Sequence, residues 1–181
     1  MEASTKRKQT NWYVITGGPS SGKTTTVNLL KDRGYITTFE HARHYLDTQR
    51  LKGKTVEETR KRQSEFQLGV LIMQIEQENE ISPDVTVFLD RAIPDALAYY
   101  RFLNLPVDEK LTEALQTVSY KKIFVLDSLP FKKDYARNED SAAQEIIHDL
   151  LIDVYQSLHF TVVRVPVLPP EERVEFILKN L

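Results

Sequence analysis

Apolar residues in this chain fall into short dense bursts, separated by longer stretches in which they recur every three or four positions. The bursts are rich in β-branched and aromatic residues: Trp12-Tyr13-Val14-Ile15-Thr16, Tyr35-Ile36-Thr37-Thr38-Phe39, Val85-Thr86-Val87-Phe88-Leu89, Ile123-Phe124-Val125-Leu126 and Thr161-Val162-Val163-Arg164-Val165. Each reads as a strand. Between them the pattern predicts a helix over 22–33, with Gly34 as its stop. A long helix is expected from the capping box Thr55-Val56-Glu57-Glu58 to about Glu80, where Ser82-Pro83-Asp84 breaks the chain. Asp108 caps a helix running to about Val118, and Ala142, Ile146, Leu150, Tyr155 and Leu158 form a helical stripe. Pro170 starts a last helix near Glu171. Five short apolar strands alternating with helices predict a parallel sheet covered on both faces, a three-layer α/β/α sandwich. One domain over 11–181 is expected, behind a solvated tail at 1–10.

Composition narrows the classes. At 181 residues, 41% hydrophobic and 28% charged, the chain is long enough to bury a sizeable core. A formal net charge of −2 gives no general surface for polyanions, so nucleic acid is not an expected partner. There is no cysteine, which excludes disulfides, thiolate metal sites and thiol catalysis, and fits a reducing compartment. No apolar run approaches the roughly 18–20 residues of a membrane span. The N-terminal MEASTKRKQT is basic but has no apolar core behind it, so it does not read as a secretory signal. A cytoplasmic protein without a membrane partner is the expectation.

The first strand runs directly into Gly17-Gly18-Pro19-Ser20-Ser21-Gly22-Lys23-Thr24-Thr25. This is the P-loop pattern, following a strand and opening a helix as the pattern requires. Glycines allow backbone N–H groups to turn inward as a concave nest for phosphate oxygens, and the helix N-terminus adds its positive dipole end. Lys23 is placed to reach β- and γ-phosphates, and the Thr24 hydroxyl to ligate Mg²⁺.

Ligands of such sheets sit at the carboxyl ends of the strands. Here those ends carry Glu40 with Arg43, Asp90 with Arg91, and Asp127. Asp90, closing Val87-Phe88-Leu89, has the form of a Mg²⁺-shell residue; it is equally placed to take a proton from an acceptor hydroxyl. Arg91 follows at once, and Asp95 and Tyr99 lie on the next turn or helix, Asp95 as a candidate substrate-binding residue with Glu40 and Arg43. The charged segment 131–140 is a candidate lid, with Arg137 as an arginine finger in cis and Lys132 and Lys133 as second choices. The loop Pro166-Val167-Leu168-Pro169-Pro170 is a candidate cover for an adenine base.

The blocks GGPSSGKTT, Glu40-His41-Ala42-Arg43, FLDRAIPDALAYY and Asp134-x-x-Arg137-x-Glu139 together resemble an AAA-like P-loop ATPase/kinase family. That family includes the nicotinamide riboside kinase domain of the bacterial NAD-regulating protein. The resemblance runs from about Tyr13 to Leu178. It implies a five-stranded parallel core of the nucleoside/nucleotide-kinase kind, ATP-Mg²⁺ as donor and a small nucleoside-like acceptor. It also implies Lys23 and Thr24 at the phosphates and metal, Asp90 and Arg91 at the catalytic centre, Glu40 and Arg43 at the acceptor, and Arg137 in the lid.

A GTPase switch would carry an Asn/Thr-Lys-x-Asp element; Phe131-Lys132-Lys133-Asp134 lacks the Asn. The reading is therefore an ATP-Mg²⁺-dependent small-molecule kinase, with an ATPase or nucleotide-sensing module as the alternative. The acceptor, the choice of ATP over GTP and any homodimer, for which the 55–80 helix offers a face, stay open.

Overall fold

A computed structural model describes residues 9–129 and 141–181. Five strands, β1 Trp12–Thr16, β2 Ile36–Thr37, β3 Val87–Asp90, β4 Lys122–Leu126 and β5 Val162–Val165, form one all-parallel sheet in the order β2-β3-β1-β4-β5. The expected strands are all present. Those read at Tyr35 and Val85 are shorter than the apolar bursts, β2 having only two residues, because β2 is an edge strand paired on one side and its Ile36 faces solvent.

Alternation along β1 builds two cores. Tyr13 and Ile15 point to one face, where α1 (Lys23–Asp32) and α8 (Pro170–Lys179) bring Val27, Leu30, Val174 and Ile177. Trp12 and Val14 point to the other, packed with Leu71, Leu97, Leu111, Ile147 and Leu151. These come from α4 (Gln63–Glu80), α5 (Ile93–Phe102), α6 (Glu109–Thr117) and α7 (Ser141–Ser157). A small third cluster, Leu46 with Phe66, joins α2 (His41–Leu51) to α4.

Two helical expectations are corrected, and one helix had not been expected. The long helix from 55 is two, α3 (Val56–Lys61) and α4, because Arg62 departs to φ −96, ψ 63. The capping box at Thr55 is as expected, with the Glu58 N–H donating to the Thr55 hydroxyl at 3.1 Å and the Thr55 N–H to the Glu58 carboxylate at 2.8 Å. The helix α2 had no counterpart in the pattern, since two of its three buried residues, His41 and Gln49, are polar. On α7 the buried stripe is Gln144, Ile147, His148, Leu151, Val154 and Tyr155, while Ile146 is exposed. Ile146-Ile147 and Leu150-Leu151-Ile152 make two phases equally apolar, and the phase that faces the P-loop carries Gln144 and His148 inward.

The Thr10 hydroxyl donates to the Ser119 carbonyl at 2.5 Å. No helix among the described residues is long and apolar enough to cross a membrane.

The register fixes what meets at the sheet's carboxyl edge. Ile15 pairs with Asp90 on one side and Phe124 on the other, so the loop after β1 leaves the sheet between Asp90 and the end of β4. Strand order changes direction at β1, where a ligand crevice is expected. Gly17 carries φ 146 here, and a Cβ on it would lie 2.7 Å from the Leu126 carbonyl oxygen and 2.8 Å from the Ser21 hydroxyl. A Gly17→Ala variant is expected to lose about 1–3 kcal/mol from strain and clash, read as a lower Tm on thermal denaturation.

Candidate active site

The loop 17–22 joins β1 to α1 in a tight turn built on left-handed backbone. Ser20 (φ 57) and Gly22 (φ 85) adopt left-handed backbone, which turns successive N–H groups to one side. A Cβ at Gly18 would lie 2.9 Å from the Gln144 carbonyl, which leaves it no room, and one at Gly22 would press on the Arg173 guanidinium at 3.0 Å. Lys23, 6% exposed, donates from Nζ to the Gly17 carbonyl at 3.0 Å, the Gly18 carbonyl at 2.8 Å and the Ser21 hydroxyl at 3.2 Å. Burial and the Arg91 cation pull its pKa down, against Glu40, Asp90 and Asp95. Thr24 and Thr25 are exposed at the head of α1.

Beside the cradle stands Asp90, 3% exposed, its Oδ1 buried and without a hydrogen-bond partner among the described residues. Burial and the Glu40 carboxylate push its pKa up, against Lys23 and Arg91. An orphaned buried carboxylate oxygen beside this loop fits a group that accepts a proton or completes a cation's shell. The backbone of the next residue is strained: Arg91 has φ 67, a region costly for a non-glycine residue. Its N–H donates to the Ile15 carbonyl at 3.0 Å and its carbonyl accepts from the Gln74 amide at 3.4 Å. Its guanidinium donates to Asp95 at 3.1 Å, lies 3.7 Å from Glu40, and packs 5.4 Å from the Tyr99 ring centroid.

Glu40, at the N-cap of α2, also lies 3.7 Å from Arg43. The structure thus brings Glu40, Arg43, Arg91 and Asp95 together. They line one cavity of about 390 Å³, which Pro19 of the P-loop also walls. Asp95 is committed within the fold, since its oxygens accept from the Thr16 hydroxyl at 2.5 Å, the Ala92 N–H at 3.3 Å and the Tyr155 hydroxyl at 2.5 Å, as well as from Arg91. Asp127 lies on the other side of β1, paired with Arg164 at 2.9 Å and 3.7 Å from His148. Arg137, Lys132, Lys133 and the expected lid at 131–140 lie outside the described residues. Among those described, no group of three or more His, Asp or Glu side chains is arranged to hold a metal ion alone. The cradle, the Thr24 hydroxyl and the orphaned Asp90 oxygen nevertheless fit a cation carried in with phosphates.

The sequence matches the AAA domain family over residues 12–173. The chain belongs to this family. No curated protein matches it by sequence. In fold this AAA-domain protein is similar to the NadR protein solved in complex with NR, with a TM-score of 0.71 and 16% identity over 96% of this chain and 50% of that one. It spans about half the length of the NadR structures it matches. A thymidylate kinase from Ehrlichia chaffeensis gives 0.64 and 15% over 96% and 99%. A deoxyadenosine kinase from M. mycoides gives 0.61 and 13% over 93% and 97%. At these identities the likeness is one of fold, the P-loop fold of nucleoside and nucleotide kinases.

Two parts of the AAA-domain site were not picked out in the sequence. Arg173, 2% exposed on α8, donates to the carbonyls of Ser21, Asp127 (3.1 Å) and Pro166 (3.2 Å), tying the P-loop to the ends of β4 and β5. It sits in a polar run, PEERVEF, where one more arginine is unremarked. Glu78, buried in α4, accepts from the Gln74 amide at 2.9 Å, the Ile93 N–H at 3.2 Å and the Tyr120 hydroxyl at 2.8 Å. Helical periodicity would put Glu78 on the α4 face of Leu71 and Gln74, which is the one signal that could have found it.

Proposed function

We propose that this protein is an ATP-Mg²⁺-dependent kinase that phosphorylates a hydroxyl of a small molecule. The observation that carries the reading is the shared wall between cradle and cavity: Pro19 of the P-loop, Arg91 beside Asp90, and Glu40 all line the chamber. A nucleotide hydrolase needs the cradle alone, whereas a transferase needs a second chamber opening onto it. The relatives in fold, a thymidylate kinase and a deoxyadenosine kinase among them, support the same reaction class.

In this reading the loop 17–22 and the N-terminus of α1 bind the nucleotide phosphates, and Lys23 and Thr24 serve the phosphates and the metal. Bound ATP-Mg²⁺ would supply the transferable phosphoryl group and most of the charge that neutralises it. Glu40 and Arg43 hold the acceptor from the β2 end, and Arg91 fixes the orientation of its hydroxyl. Asp90 takes the hydroxyl proton as the acceptor oxygen bonds to the γ-phosphorus and the bond to the bridging oxygen of ADP breaks. A carboxylate whose pKa is raised by burial is a better base for this than a solvated one. Arg173, through the carbonyls it ties together, holds the cradle against the loop 166–170, which covers the base.

The test is Asp90→Asn with a panel of nucleosides, vitamins and sugars, following ADP release with and without acceptor. Acceptor-stimulated turnover is expected to fall by about 10²–10⁴ while ADP affinity stays within about twofold. Turnover that no acceptor stimulates in the native chain would sink the kinase reading in favour of an ATPase or sensor.

A further inference from the structure

The cavity beside the cradle constrains what can enter it. Its volume of about 390 Å³ lies within the roughly 300–1,000 Å³ of small-ligand sites. Much of its wall is apolar, built by Leu46 of α2, Phe66, Val70 and Leu71 of α4, and Phe102 and Leu103 at the end of α5. Four ionised side chains line it, the carboxylates Glu40 and Asp95 and the guanidiniums Arg43 and Arg91.

These four balance and are already paired. Arg91 meets Asp95 at 3.1 Å and Glu40 at 3.7 Å, and Glu40 meets Arg43 at 3.7 Å. The oxygens of Asp95 are further occupied by Thr16, Ala92 and Tyr155. His41, which also lines the cavity, adds no cation at neutral pH, because burial, with the neighbouring His44, lowers its pKa against the Gln77 hydrogen bond. A phosphomonoester entering this chamber would bring two negative charges to guanidiniums that each already face a carboxylate. A cationic ligand would meet carboxylates that each already face a guanidinium. Either would be desolvated with little compensation.

Polar groups in the chamber do await a partner, the buried His41 Nδ1 among them. Gln67 is 7% exposed and lines the cavity, and its side-chain amide makes no hydrogen bond to another described residue. Its neighbour Gln74, by contrast, is committed to Glu78 and Arg91. The Gln67 amide keeps solvent access in the open cavity, so a ligand that seals the chamber must offer it one neutral hydrogen-bonding group or leave it unmatched at about 1–3 kcal/mol.

Resting on the kinase reading above, we propose that the acceptor is an uncharged alcohol with an apolar, ring-sized body. The body lies among the α2, α4 and α5 side chains with one neutral polar substituent on Gln67, and the hydroxyl points back to Asp90.

Saturation-transfer NMR on the full chain with ADP-Mg²⁺ tests this with four probes sharing ribose hydroxyls. They are phenyl riboside (neutral, apolar body), uridine (neutral, polar body), uridine 5′-monophosphate (anionic) and nicotinamide riboside (cationic). The phenyl riboside is expected to bind at least tenfold more tightly than either charged probe and more tightly than uridine. Ala96→Phe, which fills the chamber, is expected to remove that binding with ADP affinity intact. Glu40→Gln, which takes away the carboxylate shared by Arg43 and Arg91, is expected to shift the ranking toward the monophosphate. Tighter binding of either charged probe to the native chain overturns the proposal. So does uptake of ADP-Mg²⁺ with none of the ribosides bound, an outcome that leaves the phosphate-donor site standing. Failure to bind ADP-Mg²⁺ at all removes the kinase reading itself, and this inference with it.

Discussion

Lys23→Ala is expected to lower phosphoryl transfer by about 10²–10³, the loss that follows removal of one preorganised charge at a transition state. The fold should survive it. All three hydrogen bonds from Nζ stay within the loop, to Gly17, Gly18 and Ser21, and no other element depends on them. Burial and the Arg91 cation work against the ammonium, so taking it away also removes a desolvated charge. ADP release with acceptor measures the first effect, and the thermal midpoint with circular dichroism the second. Full activity in the variant would sink the assignment of the P-loop. Collapse of the fold would show instead that the lysine holds the loop, with Lys23→Met as the control that keeps its aliphatic length.

The cradle was legible in the sequence because its chemistry is local. Glycine at 17 and 22 and lysine at 23 are dictated by backbone angles and by the start of one helix, all within a dozen residues. The five-stranded sheet was legible for a related reason, since a strand buried on both faces must be apolar throughout, as Val87-Phe88-Leu89 and Ile123 to Leu126 are. What the sequence could not carry is whatever depends on two distant segments meeting. The break at Arg62 has no glycine or proline to announce it, and α4 restarts there with the Phe66 N–H donating to the Arg62 carbonyl at 2.9 Å. The left-handed turn at Arg91 sits on a residue that gives no local hint of it; contacts with Ile15 and Gln74 hold it. Asp95 shows the same limit from the other side. As a charged residue near the Asp90-Arg91 pair it reads as acceptor-binding. Its four hydrogen bonds tie β1, α5 and α7 together at the edge of the cavity it lines.

That kind of polar tie has a measurable consequence at Glu78. Burial, opposed by hydrogen bonds from Tyr120, Gln74 and Ile93, pushes its pKa up to about 7 from 4.5. In the unfolded chain it titrates near 4.5, so between about pH 4.5 and 7 the folded state binds more protons than the unfolded one. Stability from this group is therefore fully present below about pH 4.5 and is lost as pH rises through 7, by a total of about 3 kcal/mol. Glu78→Gln keeps a carbonyl oxygen for Tyr120 or Ile93 and cannot ionise. It is expected to be more stable than the native chain at pH 8, and to show a flatter dependence of unfolding free energy on pH between 5 and 8. Glu78→Ala removes the acceptor from three buried donors and is expected to cost about 1–3 kcal/mol at pH 5, a cost that shrinks as pH rises because only the native chain loses stability when Glu78 ionises. The site should register the same changes. Gln74 bridges Glu78 to the Arg91 carbonyl, so loss of the Glu78 anchor frees a residue whose backbone is otherwise strained. Chemical denaturation at pH 5, 6.5 and 8 decides the matter. A pH slope equal in native and Glu78→Gln proteins would mean that Glu78 is ionised in the folded state throughout, with its three donors compensating for burial.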